Sequence, residues 1–353
     1  MEISIVIVSY NATPFLDQCL QSCQKALAGR KGEILVIDNH SPEKVVESLR
    51  IFFPGVKFYP LQENLGFAKA NNFGVEKAKG HYVLILNPDT IIPENLFDQI
   101  IPFYQKTKNI GALGVKLIDA HGRFHPESKR NLPTPFNALV KFFPNLNFAK
   151  KSSYYNVQLR ADDVGKTTVL VGAFMFLSRS TYLEAKGFDE RYFMYGEDID
   201  LSYSIERLGY ENYYKGDTVA IHYKGESTRK DAQYYRIFFQ AMNLFIDKYY
   251  TNIFSKTFLK IGVWVKYRIA IFGMKKEVKK KIAAKIAVNE LNFLPKNFQS
   301  QDLKNQGHYV FDTRLFSYQE IIMYLEKFSS STLHFYIATD RYLIGENEIY
   351  LRE

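Results

Sequence analysis

Cysteine is nearly absent, with only Cys19 and Cys23 in 353 residues, and there is a single tryptophan, Trp264. Two thiols cannot build a disulfide framework, so a scaffold stapled for an oxidising compartment is excluded. Four residues apart, they share the apolar face of one predicted helix with Phe15, Leu16, Leu20 and Leu27, a core role. No apolar run reaches the roughly 20 residues that cross a bilayer. No basic leader with a cleavage site precedes the first strand, and the expectation is a cytoplasmic chain. Internal repeats and low-complexity tracts are also missing.

What is present begins with charge. The formal net charge is +9. The stretch 251–285 holds ten basic residues against one acid, Glu277, and so carries that whole excess. Its apolar part (FLKIGVWVKYRIAIFGMKK) predicts a helix lying in a membrane interface, with Trp264 and Tyr267 at headgroup depth. The other reading of this helix is packing against the main domain with a solvated basic face. An anionic membrane surface is the expected partner. No nucleic-acid fold signature accompanies the patch, and nucleic acid is not expected. Aromatic residues reach 16%, with 29 Phe and 25 Tyr.

The first half alternates strand and helix patterns. A continuous apolar run at Ile3–Ser9 predicts a strand buried on both faces, and Glu33–Asp38, Lys57–Leu61 and Tyr82–Leu86 read as the strands that follow. Helices are predicted from Thr13, as N-cap with Pro14 behind it, over Pro42–Arg50, and over Phe67–Lys79 before Gly80. Such alternation implies an α/β fold with a mostly parallel sheet flanked by helices. Ligands of these sheets bind at the carboxyl ends of the strands. Here those ends are Ser9-Tyr10-Asn11, Asp38-Asn39 and Asn87-Pro88-Asp89. Beyond Gly111 the pattern predicts a hairpin (Val115–Ile118, Arg123–Pro126), a loop with a short helix over 131–147, a strand at Val169–Leu177 and a helix over Asp231–Tyr250. The expected division is a catalytic domain at 1–250, a basic amphipathic segment at 251–291 and a small α/β unit at 292–353. That last unit has predicted strands at Tyr309–Asp312 and Leu333–Ile337 around a helix at Tyr318–Phe328, and packing is its default role.

Two acidic turns carry the chemistry. Glu197 and Asp198 open an amphipathic helix behind Phe188, Tyr192, Phe193 and Tyr195, a place for a general base beside a flat polar substrate. Asp89 follows the fourth strand, where a carboxylate can hold a divalent cation on a diphosphate. Asp200 reads as a further acid favoured by the helix dipole. Arg130 and Arg229 are unranked cations for a diphosphate, with a solvated role equally open.

The order of VIVSYN (6–11), VIDN (36–39), NLGFAKANNFG (64–74), LILNPDT (84–90), VGAFMFLSR (171–179), FDERYFMYGEDIDLSYSIERLGY (188–210) and HYKGEST (222–228) resembles the family 2 inverting glycosyltransferases of GT-A fold, in their rhamnosyltransferase-like branch. The resemblance spans roughly residues 1–250. It implies that Asp38 accepts from the imide of uracil or thymine, with Ser9, Tyr10 and Asn11 lining the same pocket. Asn64, Gly66 and Asn71 surround a helix start that can meet phosphate, and Asn87, Gly172 and Ala173 lie along the sugar. Asp89 and His222 would hold Mg²⁺ or Mn²⁺, although Asn87 replaces the first acid of the common Asp-x-Asp pattern. Asp198 would be the base and Glu197 its helper. The implied reaction takes a sugar, dTDP-L-rhamnose being one candidate donor, from a UDP- or dTDP-sugar to a polyprenyl-diphosphate-linked saccharide or other surface-glycan acceptor, at the inner face of the membrane. Two other classes stay open: a glycan-binding subunit that kept the fold, and a sugar-1-phosphate nucleotidyltransferase. The second would carry a Gly-rich basic loop where Tyr10-Asn11-Ala12 stands.

Overall fold

The computed structural model describes residues 1–42, 45–132, 154–223, 232–272, 291–299, 302–303, 307–329, 333–345 and 349–351. The expected short helix within 131–147, Arg229 and the cations from Lys275 to Lys285 lie outside them.

Three apolar runs form β1 (Ile3–Ser9), β2 (Gly32–Asp38) and β3 (Lys57–Pro60), with helices α1 (Thr13–Ala26) and α2 (Val45–Arg50) between them. Helix α3 (Gly66–Lys77) leads to β4 (Tyr82–Leu86) and the short β5 (Thr90–Ile91). Helix α4 (Leu96–Lys106) precedes the long β6 (Ile110–Ile118), and β7 (Lys129–Arg130), β8 (Val164–Lys166) and β9 (Val169–Leu170) follow. Then come β10 (Phe174–Ser178), α5 (Arg179–Glu184), α6 (Glu197–Arg207) and β11 (Glu211–His222). The main sheet has the order β3-β2-β1-β4-β10-β6-β11-β5, with β8 beside β11. Strands β1 to β4 pair in parallel, and β10 runs antiparallel to both β4 and β6. The sheet is therefore mixed, with parallel strands on one side and antiparallel pairings around β10. Strands β1 and β4 are buried along their whole length, as sandwiching between helix layers requires.

Three local expectations are corrected. Thr13 is the first helical residue and not the cap: Ala12 holds the cap position and its carbonyl accepts the Leu16 N–H at 2.8 Å. The single strand expected at Val169–Leu177 is broken into β9 and β10 by a turn closed by Phe174 N–H on Val171 O. Gly172 lies in that turn, and its N–H leaves the ladder to donate to Asp198 Oδ2 at 3.2 Å. The hairpin after β6 shrinks to one bridge, Ile118 to Phe124, because Pro126 starts a 3₁₀ turn.

The chain continues as α7 (Ala232–Tyr249) and α8 (Ile253–Phe272). Leu259 and Val263 of α8 are buried with Ile246 of α7. The opposite side of α8 exposes Phe254, Phe258, Ile261, Trp264, Ile269 and Phe272, with Trp264 61% exposed. The helix therefore has two apolar faces, and it both packs on the domain and leaves a stripe uncovered. Two of its cations are already spent, since Lys256 and Lys260 both pair with Asp247 at 2.6 and 2.8 Å. No helix among the described residues is long and apolar enough to cross a membrane.

The last unit holds β12 (Asn292–Phe293), β13 (Gly307–Asp312), α9 (Tyr318–Lys327), β14 (Leu333–Ala338), β15 (Tyr342–Ile344) and β16 (Ile349–Leu351). Its five strands follow in sequence order. Its core is continuous with the main domain, because Phe311, Tyr318 and Ile337 cluster with Phe15, Ile118, Ile221 and Tyr223. Glu94 fastens the junction by accepting the Tyr318 and Gln319 N–H groups at the start of α9, both at 2.9 Å.

Candidate active site

The parallel register sets Ser9 beside Asp38 and Ile7 beside Leu86, so the loops after β1, β2 and β4 leave from one edge of the sheet. Asp38 is buried, and its Oδ1 accepts the Ser41 N–H at 3.2 Å. Burial is the main reason its carboxyl is raised above the usual range. Asn11, with φ +52°, donates its N–H to Ser41 Oγ at 3.0 Å, which ties the exposed Tyr10-Asn11 corner to the Asp38 turn. The Ser9 hydroxyl is buried and has no hydrogen-bond partner among the described residues.

The helix start at Asn64 to Asn71 is arranged differently from expectation. Its leading amides are already taken within the protein. Leu65 N–H goes to Asn39 Oδ1 at 2.8 Å, Gly66 N–H to Asn64 Oδ1 at 3.0 Å and Phe67 N–H to Phe193 O at 2.7 Å. They are not offered to phosphate, and the motif instead locks α3 to the Phe193–Gly196 loop. Gly66 is required there: its φ is +78°, and a Cβ would collide with the Phe193 carbonyl oxygen. Asn71 lies one turn further on. Its Nδ2 donates to Phe67 O, and its buried Oδ1 has no partner among the described residues.

The antiparallel pairing of β4 with β10 brings Gly172-Ala173 to the end of β4, where Asn87 N–H donates to Ala173 O at 3.0 Å. The pairing of β5 with β11 sets His222 opposite Thr90. As a result His222 Nε2 lies 3.3 Å from Asp89 Oδ1 and 3.5 Å from Asn87 Nδ2. One carboxylate and one imidazole at adjoining strand ends suit a Mg²⁺ or Mn²⁺ ion that takes its remaining ligands from a diphosphate and water. No group of three or more His, Cys, Asp or Glu residues arranged for a metal occurs among the described residues, so such an ion needs substrate oxygens to complete its shell. His125, whose ring meets that of His222 edge-on at 5.7 Å, is a neighbour that no sequence motif marked.

Helix α6 is preceded by two left-handed residues, Tyr195 at φ +70° and Gly196 at φ +82°. A non-glycine there costs about 1 kcal/mol. Contacts of the Tyr195 ring with Tyr234 and Phe238 hold it. The reversal drops Glu197 and Asp198 into the protein, where both are buried. Asp198 Oδ2 accepts from Arg130 Nη2 at 2.6 Å and from Gly172 N–H at 3.2 Å, and Oδ1 accepts from Ile199 N–H at 2.8 Å. Glu197 Oε2 has no partner among the described residues. Burial first, and then the charge on Asp198, push the Glu197 carboxyl up to about 8, against the pull of Arg130.

Two residues change character. Arg130 is buried and paired with Asp198, so the solvated reading fails. The reason lies in β7, which pairs with β9 and sets Arg130 opposite Val169, just before the Gly172 turn. Asp200 stands in the first turn of α6 as expected, but it is also buried and binds Lys248 at 2.8 Å and the Tyr249 hydroxyl at 2.8 Å, joining α6 to α7. Gly172 packs beside Asp198 and Phe67, where a Cβ would make ordinary contact at 3.4 Å. Asn39, marked by the sequence as part of the Asp38-Asn39 strand end, binds both Asn64 and Gly66 through its amide.

These pieces form one arc from His222 and Asp89 through Asn87, Ala173 and Gly172 to Asp198 and Arg130. The family described as glycosyl transferase family 2 matches residues 4–183, half of the chain and most of that arc. The chain belongs to glycosyl transferase family 2. Among its relatives is the N-acetylglucosaminyl-diphospho-decaprenol L-rhamnosyltransferase of Mycobacterium tuberculosis, 27% identical over 243 residues, which are 64% of this chain and 78% of that one. Another is the rhamnosyltransferase WbbL of Escherichia coli K12, 25% identical over 234 residues, 64% of this chain and 84% of the relative. A mannosyltransferase of Pyrobaculum calidifontis, solved with GDP-mannose and Mn²⁺, superposes with a TM-score of 0.50 at 15% identity, covering 76% of this chain and 72% of its own. This family 2 glycosyltransferase therefore has rhamnosyltransferase-like relatives of the cell envelope and a GT-A fold.

Proposed function

We propose that this glycosyltransferase is metal-dependent and inverting, and moves a sugar from a UDP- or dTDP-sugar to a hydroxyl of a polyprenyl-diphosphate-linked saccharide. dTDP-L-rhamnose is the donor of first choice, by analogy with the rhamnosyltransferase relatives. The observation that carries the reading is the arc itself: a carboxylate–imidazole pair 3.3 Å apart at one end and a buried carboxylate pair at the other.

In this reading Asp38 recognises the pyrimidine imide, and Ser9, Tyr10 and Asn11 line the base. Asn71, Asn87 and Ala173 follow the sugar diphosphate, with Asn64 and Gly66 shaping the loop beneath it. Asp89 and His222 would hold a Mg²⁺ or Mn²⁺ ion, which supplies positive charge for the leaving diphosphate. Asp198 takes the proton of the acceptor hydroxyl as that oxygen bonds to the anomeric carbon. The anomeric C–O bond to the diphosphate breaks on the opposite side, and the nucleoside diphosphate leaves with the bonding electrons. Glu197, neutral at pH 7, donates a hydrogen bond to the acceptor or its departing proton path. The division into units at 1–250, 251–291 and 292–353 belongs to the same proposal, with the last unit bracing the sheet.

The exposed stripe of α8 supports peripheral contact with the cytoplasmic face of a membrane, where such an acceptor would be embedded. The test is incubation with dTDP-L-rhamnose or UDP-sugars, Mn²⁺ and a polyprenyl-diphosphate-linked N-acetylglucosamine. A product whose anomeric configuration is opposite to the donor's, absent in Asp198→Asn and Asp89→Ala, is expected. Turnover unaffected by both substitutions would refute the assignment.

A further inference from the structure

The guanidinium of Arg130 is buried, yet it faces the carboxylate on which the transfer reading depends. Its Nη2 reaches Asp198 Oδ2 at 2.6 Å and Leu170 O at 3.1 Å, and its Nη1 lies 3.4 Å from the Tyr154 hydroxyl. Its Nε has no partner among the described residues. Burial opposes the charge on Arg130, and the Asp198 carboxylate and the Tyr154 hydroxyl together more than offset this, so its pKa is raised. A buried cation is held only by a matching anion. Two adjacent buried carboxylates, in turn, cannot both carry charge without one.

We propose that Arg130 is a positioning residue of the transfer step, which assigns the single negative charge of the Glu197–Asp198 pair to Asp198 and leaves Asp198 Oδ1 to meet the acceptor hydroxyl. This rests on Asp198 being the base. The selection of oxygens follows from hydrogen-bond capacity. Oδ2 already accepts two donors, Arg130 Nη2 and Gly172 N–H, whereas Oδ1 accepts one, Ile199 N–H. A carboxylate oxygen has two lone-pair sites, so Oδ1 keeps one for the incoming hydroxyl. The charge assignment follows from distance: the guanidinium bonds to Asp198 and not to Glu197, whose Oε2 is unpartnered among the described residues. Among the described residues, other ionisable groups around the pair are Asp200 on the same helix, paired with Lys248 from α7, and Tyr154 and Tyr155 beside Arg130.

The test compares the pH–rate profile and KM of the wild type with Arg130→Lys, Arg130→Met and Asp198→Asn, from pH 5.5 to 9. Arg130→Met is expected to lower kcat at pH 7 about 100-fold, to move the acidic limb up by at least one pH unit and to change the donor KM by less than about threefold. Arg130→Lys, which keeps the charge, should restore most of the rate and return the limb. If Arg130→Met does not fold, Arg130→Lys decides alone: a small rate loss with an unmoved limb supports the charge role, and a loss as large as that of Asp198→Asn overturns it. A uniform loss at every pH, with Lys no better than Met, would make Arg130 merely structural and overturn the proposal. Full turnover by Asp198→Asn would remove the base itself. An inactive Asp198→Asn beside Arg130 variants of normal profile would sink only the role of Arg130.

Discussion

Replacing Glu197 by Gln tests whether this carboxyl is the neutral member of the pair. A carboxyl near 4.5 in the unfolded chain and about 8 in the fold makes stability fall as pH rises, because over that window the folded state binds the extra proton. The loss begins near pH 4.5 and is complete just above pH 8. Each full pH unit inside the window costs about 1.4 kcal/mol, so the span from pH 5 to pH 8 is on the order of 3–4 kcal/mol. Unfolding entropy of about 2.1 cal/mol/K per residue turns this into about 4–5 °C of Tm for a chain of 353 residues. Other groups titrate in both proteins, so the quantity to read is the difference between the two melting curves by calorimetry. The wild type should lose about 4–5 °C more than Glu197→Gln between pH 5 and pH 8. The variant should also keep most of its turnover at pH 7, where Gln mimics the protonated acid. Parallel Tm profiles would refute the idea that burial beside Asp198 holds a proton on Glu197.

Other substitutions probe the scaffold. Gly66→Ala places a side chain at φ +78° against the Phe193 carbonyl; at least about 1–2 kcal/mol of strain should appear as a lower Tm and, through the Phe193–Gly196 loop, as reduced turnover. An unchanged Tm would show that the loop yields freely. Phe258→Glu combined with Trp264→Glu should abolish flotation with liposomes while leaving the Tm within about a degree, because both side chains are exposed on α8. Undiminished flotation would rule the stripe out as the membrane contact. Glu94→Ala removes the acceptor of two N–H groups at the start of α9 and should cost about 1–2 kcal/mol, measured by denaturant melts. No change would mean that apolar packing alone holds the last unit.

The centre of the sheet was legible because β1 and β4 are buried on both faces and read as unbroken apolar runs, and Ile3–Ser9 and Tyr82–Leu86 have the expected bounds. The acidic turns were legible because their spacing follows strand and helix ends. What sequence hid is what depends on pairing between distant segments. Arg130 becomes a partner of Asp198 only because a two-residue strand pairs with β9, and strands that short carry no periodic signal. The amides before α3 looked available for phosphate, and only the fold reveals that Asn39, Asn64 and Phe193 occupy them. Likewise the sequence marked 251–285 as an amphipathic basic helix, but not that Asp247 of α7 pairs with two of its lysines while an apolar stripe stays exposed.

The most direct test of the central claim is a thermal-shift titration of the wild type and Asp89→Ala with UDP, dTDP, GDP and CMP, each with and without Mn²⁺. Stabilisation by UDP or dTDP that requires Mn²⁺ and disappears in Asp89→Ala is the predicted result, since a ligand bound only to the folded state raises Tm with its concentration. Stabilisation that is equal without the metal, or that survives the loss of Asp89, would contradict a metal-held nucleotide sugar at this site.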